Sequence, residues 1–253
     1  MTFKKLTPYL LTFLGLNSLI QAATIIDNFE SGLGGWTQVG TGSGVFGTAA
    51  GNGSTTAATI DWNGSNQGNP GAYLVNSGVA FDATQTFSGT FDFFLPENGN
   101  DMRVNFIVGD IQNGITGTAG EFLNFYGNER TFGRRAQLRD GAGTILFDGD
   151  GNNKYRIDTN NWITASFSWT PTSGTTGDFS ISWTYPAQPN RGPMTTTGYT
   201  FTSNEVYFGF GTGQPSTVVS IDNINITGTA IPEPSVALLG GLGTLLLLRR
   251  RNR

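Results

Sequence analysis

The sequence predicts an all-β fold, a two-sheet antiparallel β-sandwich, and three observations predict it. Between residues 24 and 230 no apolar stripe recurs at helical period, whereas several stretches alternate strictly between apolar and polar residues. Gly, Asn, Asp, Ser and Thr separate these stretches, and 37 glycines in 253 residues support many tight turns. The alternating faces carry rows of Phe and Trp. At about 25 cal/mol per Å2 of buried apolar area each ring contributes a few kcal/mol, but only if a second sheet covers the row.

Taken in order, Thr24 to Phe29 is a first strand, and it leads into Glu30-Ser31-Gly32-Leu33-Gly34-Gly35-Trp36, where glycines permit a sharp bend and Trp36 caps the core. Gly40 to Thr56 is rich in small and hydroxyl residues and reads as a loop or as two thin edge strands. Phe87, Phe91, Phe93 and Leu95 share one face of a strand, with Gly89 where a neighbour packs closely and Pro96 at the end. Met102, Val104, Phe106 and Val108 alternate with Arg103 and Asn105, which suggests an antiparallel partner for that strand across the Glu97 to Asp101 turn. Thr144 to Phe147 is a short strand. Ile163, Ala165, Phe167 and Trp169 then face one way and Thr164, Ser166, Ser168 and Thr170 the other. Phe179, Ile181, Trp183 and Tyr185 repeat that pattern after Pro171 to Gly177, so the two form a hairpin with one apolar and one hydroxyl-rich face. Ile26-Asp27-Asn28 recurs as Ile221-Asp222-Asn223. In the second copy the apolar parity shifts from Val219 and Ile221 to Ile224 and Ile226, which predicts a bulge at Asp222-Asn223.

The order of these elements, with Asn161-Trp162 opening a long alternating strand followed by the Phe179 strand, resembles a concanavalin A-like or laminin-G-like jelly roll. A galactose-binding-like jelly roll is the alternative. The resemblance implies that the first and last strands lie side by side, so that the two Ile-Asp-Asn copies meet.

Both chain ends read as addresses. Lys4 and Lys5 precede an apolar run from Leu6 to Ile20 and the small residues Ala22 and Ala23, the pattern of a secretory signal peptide over residues 1–23, formed as a helix and removed by signal peptidase. At the other end, Pro232-Glu233-Pro234 is followed by an uncharged run from Val236 to Leu248 and then by Arg249, Arg250, Arg251 and Arg253. The prolines interrupt regular structure, and the run is a short transmembrane helix that needs its neighbours to cross a ~30 Å bilayer core. The arginines set its topology, remaining cytoplasmic. In this order, residues 231–253 resemble the PEP-CTERM sorting signal of bacterial envelope and exopolysaccharide-associated proteins. That resemblance implies an exosortase partner, a transient anchor in the inner membrane, removal of the tail near Pro232 to Pro234, and a final place in the cell envelope or outside the cell. Residues 24–230 are then the β-sandwich domain.

The two signals take with them six of the 14 basic residues and one of the 18 acidic ones, leaving a body of net charge −9. Such a surface repels phosphate backbones and excludes nucleic acid as a partner. The absence of His and Cys removes disulfides, Ser-His-Asp and Cys-His nucleophile systems, and the usual zinc and copper sites. No catalytic residues are assigned and no cofactor is required. Carboxylate chemistry and oxygen-ligated calcium stay open.

Four groups are candidates for function. Asp148, Asp150 and Asn152 place oxygen ligands at alternate positions as a calcium loop does, although Asn153 stands where an EF-hand needs Gly and Thr159 where it needs Glu, and a hairpin turn explains the same letters. Asp27 and Asp222 are a second calcium candidate, set against a packing signature of the terminal strands. Arg134 and Arg135, with Arg130 and Arg139, either grip anionic polysaccharide or pair locally with Glu121, Glu129 and Asp140. Trp62, amid Asp61, Asn63, Gly64 and Ser65, is the best placed of the five tryptophans to stack on a sugar at the surface. Glu121 and Glu205 are the carboxylates most suited to glycosidase action, but the Glu-x-Asp-x-x-Glu arrangement of jelly-roll glucanases is missing. The function these features favour is a structural or adhesive one with extracellular polysaccharide, the alternative being a carbohydrate-binding module with a defined sugar site, and a polysaccharide-cleaving enzyme third.

Overall fold

The computed structural model describes residues 21–40, 44–62, 71–96, 102–129, 135–149, 153–185, 188–213 and 217–231. Residues 1–20 of the signal segment, Pro232 to Pro234, the apolar run and the terminal arginines lie outside these residues, while the last three residues of the signal segment, Gln21 to Ala23, open the first strand. One compact unit spans Ala22–Ile231. It contains the strands β1 (Gln21–Asp27), β2 (Thr37–Gly40), β3 (Gly44–Ala49), β4 (Ala57–Trp62), β5 (Ala72–Val75), β6 (Phe81–Asp82), β7 (Phe87–Phe94) and β8 (Met102–Gly109). These are followed by β9 (Phe122–Glu129), β10 (Arg135–Asp140), β11 (Ile145–Asp148), β12 (Trp162–Ser173), β13 (Thr176–Tyr185), β14 (Gln188–Thr200), β15 (Glu205–Thr212) and β16 (Val218–Ala230). A single turn of 3-10 helix, Asn153–Tyr155, is the one helical element among the described residues.

The strands build two antiparallel sheets. The front sheet runs β11-β10-β9-β8-β15-β5-β2, and the back sheet runs β14-β13-β12-β7-β16-β4-β3, with β1 also paired to β16. β6 joins the two at one edge, since Phe81 is in register with both Val206 of β15 and Ala230 of β16. Between the sheets lies the aromatic core that alternation predicts. Phe91 of the back sheet packs at a tilt against Phe106 of the front sheet with ring centroids 4.6 Å apart, Phe167 meets Phe106 at 4.7 Å, and Phe125 meets Trp183 at 5.5 Å. Trp169 and Trp183 are buried, as their inward parity requires.

The hairpin of β12 and β13 has the predicted register, with Ala165 opposite Trp183 and Phe167 opposite Ile181. Gly89 is where β16 packs closely: a Cβ there would lie 2.6 Å from the carbonyl oxygen of Asn225. The bulge in β16 is present as well. Its register to β7 shifts between Asp222 and Asn225, and Asn223 takes a left-handed φ of 49°. Val219, Ile221, Ile224 and Ile226 are therefore all buried despite the change of parity. Trp36 closes the first bend over the core, its indole Nε1 donating to Asp27 Oδ2 at 2.7 Å. Ile26, Asp27 and Asn28 of the first Ile-Asp-Asn copy line one open cleft of about 530 Å3 with Asn223, the last residue of the second copy, and Ile224 and Asn225 beyond it, whereas Ile221 and Asp222 do not line it.

One pairing differs from the sequence reading. β7 and β8 are not hairpin partners: β7 lies between β12 and β16, and β8 between β9 and β15. Each has one apolar face, and the chain crosses from one sheet to the other so that the two faces meet across the core. Alternation identifies a strand and its inward face but is silent on which sheet receives it.

Candidate functional site

The outward face of the front sheet carries the chemistry. Antiparallel register places Tyr73 of β5, Gly211 of β15, Asn105 of β8, Tyr126 of β9, Gln137 of β10 and Asp148 of β11 in one row across six strands. The next row holds Val75, Gly209, Ile107, Asn124 and Arg139. Arg103 stands two residues before Asn105 on the same face.

The face divides into two halves. On one half the segment between β8 and β9 folds back over the sheet, so that Tyr73, Val75, Ile107, Ile111, Phe122 and Tyr207 form a separate small apolar cluster with Ile115 packed against it. Burial pushes the Tyr73 hydroxyl from 10.0 up to about 12, against the lowering effect of a hydrogen bond with the Ile115 backbone. The other half is polar. The guanidinium of Arg103 lies 4.3 Å from the centroid of the Tyr126 ring and that of Arg139 lies 4.8 Å from it, so one tyrosine ring serves two cations. Arg139 Nε and Nη2 donate to Gln137 Oε1 at 2.9 and 2.6 Å. Arg103, Asn105, Asn124 and Gln137 are buried polar residues, and Gln137 Nε2 has no hydrogen-bond partner. This is a dense set of buried polar groups, donors and acceptors both, on an outward sheet face, where a purely structural surface would be expected to carry solvated side chains.

The sequence-predicted residues fall elsewhere or only partly here. Trp62, assigned to a sugar-stacking surface, is a core residue at 5 % exposure. Its position in β4 puts it in step with the buried Ile60 and Ala58, so the polar letters around it belong to the loop and not to the ring. Arg134 lies outside the described residues. Arg135 is in register with Asn128 in the β9 to β10 pairing, two residues along the strand from Gln137. Arg139 does not pair with Glu121 or Asp140 as the local-pairing reading expects, but with Gln137 and the Tyr126 ring.

Asp148 ends β11 opposite Gln137, while Asp150 and Asn152 lie outside the described residues. Among the described residues no group of three or more His, Cys, Asp or Glu is placed to hold a metal. Asp27 and Asp222, the other calcium candidates, each accept hydrogen bonds from protein donors. Asp27 accepts from the Phe29 amide at 2.7 Å and from Trp36, and Asp222 accepts from the Asn52 amide at 2.8 Å, Ser54 Oγ at 2.5 Å and the Asn223 amide at 2.8 Å. Glu205 opens β15 and Glu121 precedes β9, each engaged by nearby hydroxyls, Glu121 by Thr116 and Glu205 by Tyr207 at 3.5 Å.

The polar half was legible as a pattern that strand alternation alone discards. Arg103-x-Asn105, Asn124-x-Tyr126 and Gln137-x-Arg139 place long polar or aromatic groups at alternate positions of three consecutive strands. No family model matches the chain, and no curated protein does. Solved structures do. A Bauhinia forficata lectin in complex with GalNAc matches at TM-score 0.55 and 12 % identity, over 82 % of this chain and 98 % of that one. An endo-β-1,4-glucuronan lyase from the fungus Trichoderma reesei matches at 0.54 and 12 %, over 81 % and 95 %. The PL-14 alginate lyase of Aplysia kurodai matches at 0.52 and 14 %, over 75 % and 88 %. At such identities the shared property is the fold, and the sandwich of this chain is a concanavalin A-like jelly roll.

Proposed function

We propose that the chain is an exported protein of the bacterial cell envelope that associates with extracellular polysaccharide, without cutting it, through the outward face of the front sheet. The observation that carries this reading is the polar half of that face, where Arg103, Tyr126, Gln137 and Arg139 from three adjacent strands are held against one another. Extended sugar chains suit a sheet face because successive strands repeat every ~4.8 Å and offer the same contact several times. Three fold relatives named above are a lectin and two polysaccharide lyases, which supports a sugar as the ligand and leaves the absence of catalysis to be tested. The arrangement around Arg139 also favours the second reading, a binding module with a defined sugar site, over a diffuse adhesive surface.

Export and sorting belong to the same proposal. Residues 1–23 direct secretion and are removed by signal peptidase, and residues 231–253 anchor the protein transiently until an exosortase removes them. Mass spectrometry of the protein from its host tests this part: a new N-terminus just after Ala22 or Ala23 and a C-terminus near Pro232 to Pro234 are expected, and a product that still ends in Arg253 contradicts it. For the binding part, the chain is run through native gels containing neutral or acidic polysaccharides. Retardation in at least one gel is expected, with no release of reducing ends and no ultraviolet absorbance from an unsaturated uronate. Unchanged migration in every gel would remove the proposal, and product release would convert it to an enzyme.

A further inference from the structure

We infer that the front face reads a negatively charged sugar, a uronate carboxylate, through the guanidinium of Arg139, an inference that rests on the polysaccharide reading above. Arg139 is half-buried and held on two sides by neutral groups. Gln137 Oε1 takes its Nε and one Nη2 hydrogen, and the Tyr126 ring lies beneath it at 4.8 Å. Two of its five N–H groups are used in this way and three remain for a ligand. Among the described residues no carboxylate lies within ion-pair distance of it. Its charge is therefore fixed in direction without being cancelled, which is the condition for binding a carboxylate by two parallel hydrogen bonds.

Gln137 adds a second donor to the same place. Its Oε1 must face Arg139, because only the oxygen can accept two guanidinium bonds, and this fixes which end of the amide is Nε2. Nε2 is buried and has no partner. A carboxylate oxygen would supply one, whereas a second donor would not. Arg103 places another positive charge 4.3 Å from the same tyrosine ring. Arg139 and Gln137 Nε2 are both donors, and an ionised carboxylate, which only accepts, complements this pair better than a hydroxyl that must also donate; the amide oxygens of Asn105 and Asn124 in the same rows are acceptors. The body carries net charge −9, so a general attraction for polyanions is absent and selectivity has to come from this local site.

The test compares each acid with its own ester, so that the sugar backbone is constant and the charge is not. Binding of the purified chain to polygalacturonate and to its methyl ester, and to alginate and its propylene glycol ester, is measured by isothermal titration. At least one acid should bind about tenfold more tightly than its ester, the difference a single charge-assisted contact makes. Arg139→Gln should abolish that preference, and Arg139→Lys, which keeps the charge but not the fork, should retain part of it. The circular dichroism spectrum of each variant should match the parent. Equal affinity for acid and ester would overturn the charge inference while leaving polysaccharide binding intact. A preference that survives Arg139→Gln would overturn the assignment to this residue. If neither acids nor esters bind and no gel retards the chain, the underlying reading of the face fails with it.

Discussion

The carboxylates of Asp92 and Asp222 are cross-strand neighbours in β7 and β16, both buried, and each is met by neutral donors. Asp92 accepts from Asn52 Nδ2 at 2.9 Å, Asn223 Nδ2 at 2.8 Å and Thr164 Oγ1 at 2.6 Å, and Asp222 takes the Asn52 amide and Ser54. Together they pin the Gly51 to Thr56 turn onto the back sheet. Asp222→Ala leaves those donors without an acceptor and is expected to cost about 2–3 kcal/mol in urea unfolding. Trp62→Ala, in contrast with its sequence reading, should act on stability, by about 3–5 kcal/mol, and Trp62→Phe should bind polysaccharide as the parent does. Burial pushes the Tyr185 hydroxyl from 10.0 up to about 12, while it donates to the Arg156 carbonyl at 3.0 Å and accepts from the Asp158 amide at 2.7 Å. The folded chain keeps this proton after the unfolded chain has released it. The stabilisation from the neutral phenol is thus complete below pH 10.0 and is lost as pH rises toward about 12. Urea midpoints should fall over that interval, and fall less steeply in Tyr185→Phe.

At the scale of elements, strands with one wet and one dry face declare themselves. The β12 to β13 hairpin, the close approach at Gly89 and the bulge at Asp222-Asn223 all follow from parity and from where a glycine interrupts it. The pairing of β7 with β8 does not follow, because both strands satisfy the same local rule and their placement depends on long-range packing of Phe91 on Phe106. The same limitation hides the site. Asn105, Tyr126 and Gln137 are remote in sequence and become one row only when β8, β9 and β10 are laid in register. Gly211 completes that row on β15, and a Cβ there would lie 2.3 Å from the Ala72 carbonyl oxygen. Gly211→Ala must therefore move the backbone of β5, with an expected loss of about 1–3 kcal/mol in denaturant unfolding.

For the molecule as a whole, the aromatic rows decide the architecture, and the proposed polysaccharide binding rests on the front face. A domain without cysteine must be held by its core, and one buried cluster of aromatic and aliphatic side chains contains Phe87, Trp169, Phe125 and Trp183. Charge totals were legible from the letters, but their local inversion was not: a body of net charge −9 still brings Arg103 and Arg139 onto one ring of an outward face. The most direct measurement is an amide chemical-shift map of the isotopically labelled chain titrated with an acidic oligosaccharide. The largest shifts are expected at residues 103–107, 124–128 and 135–139. Shifts confined to residues 88–94 and 164–184 of the back sheet, or none at saturating sugar, would contradict the assignment of the front face.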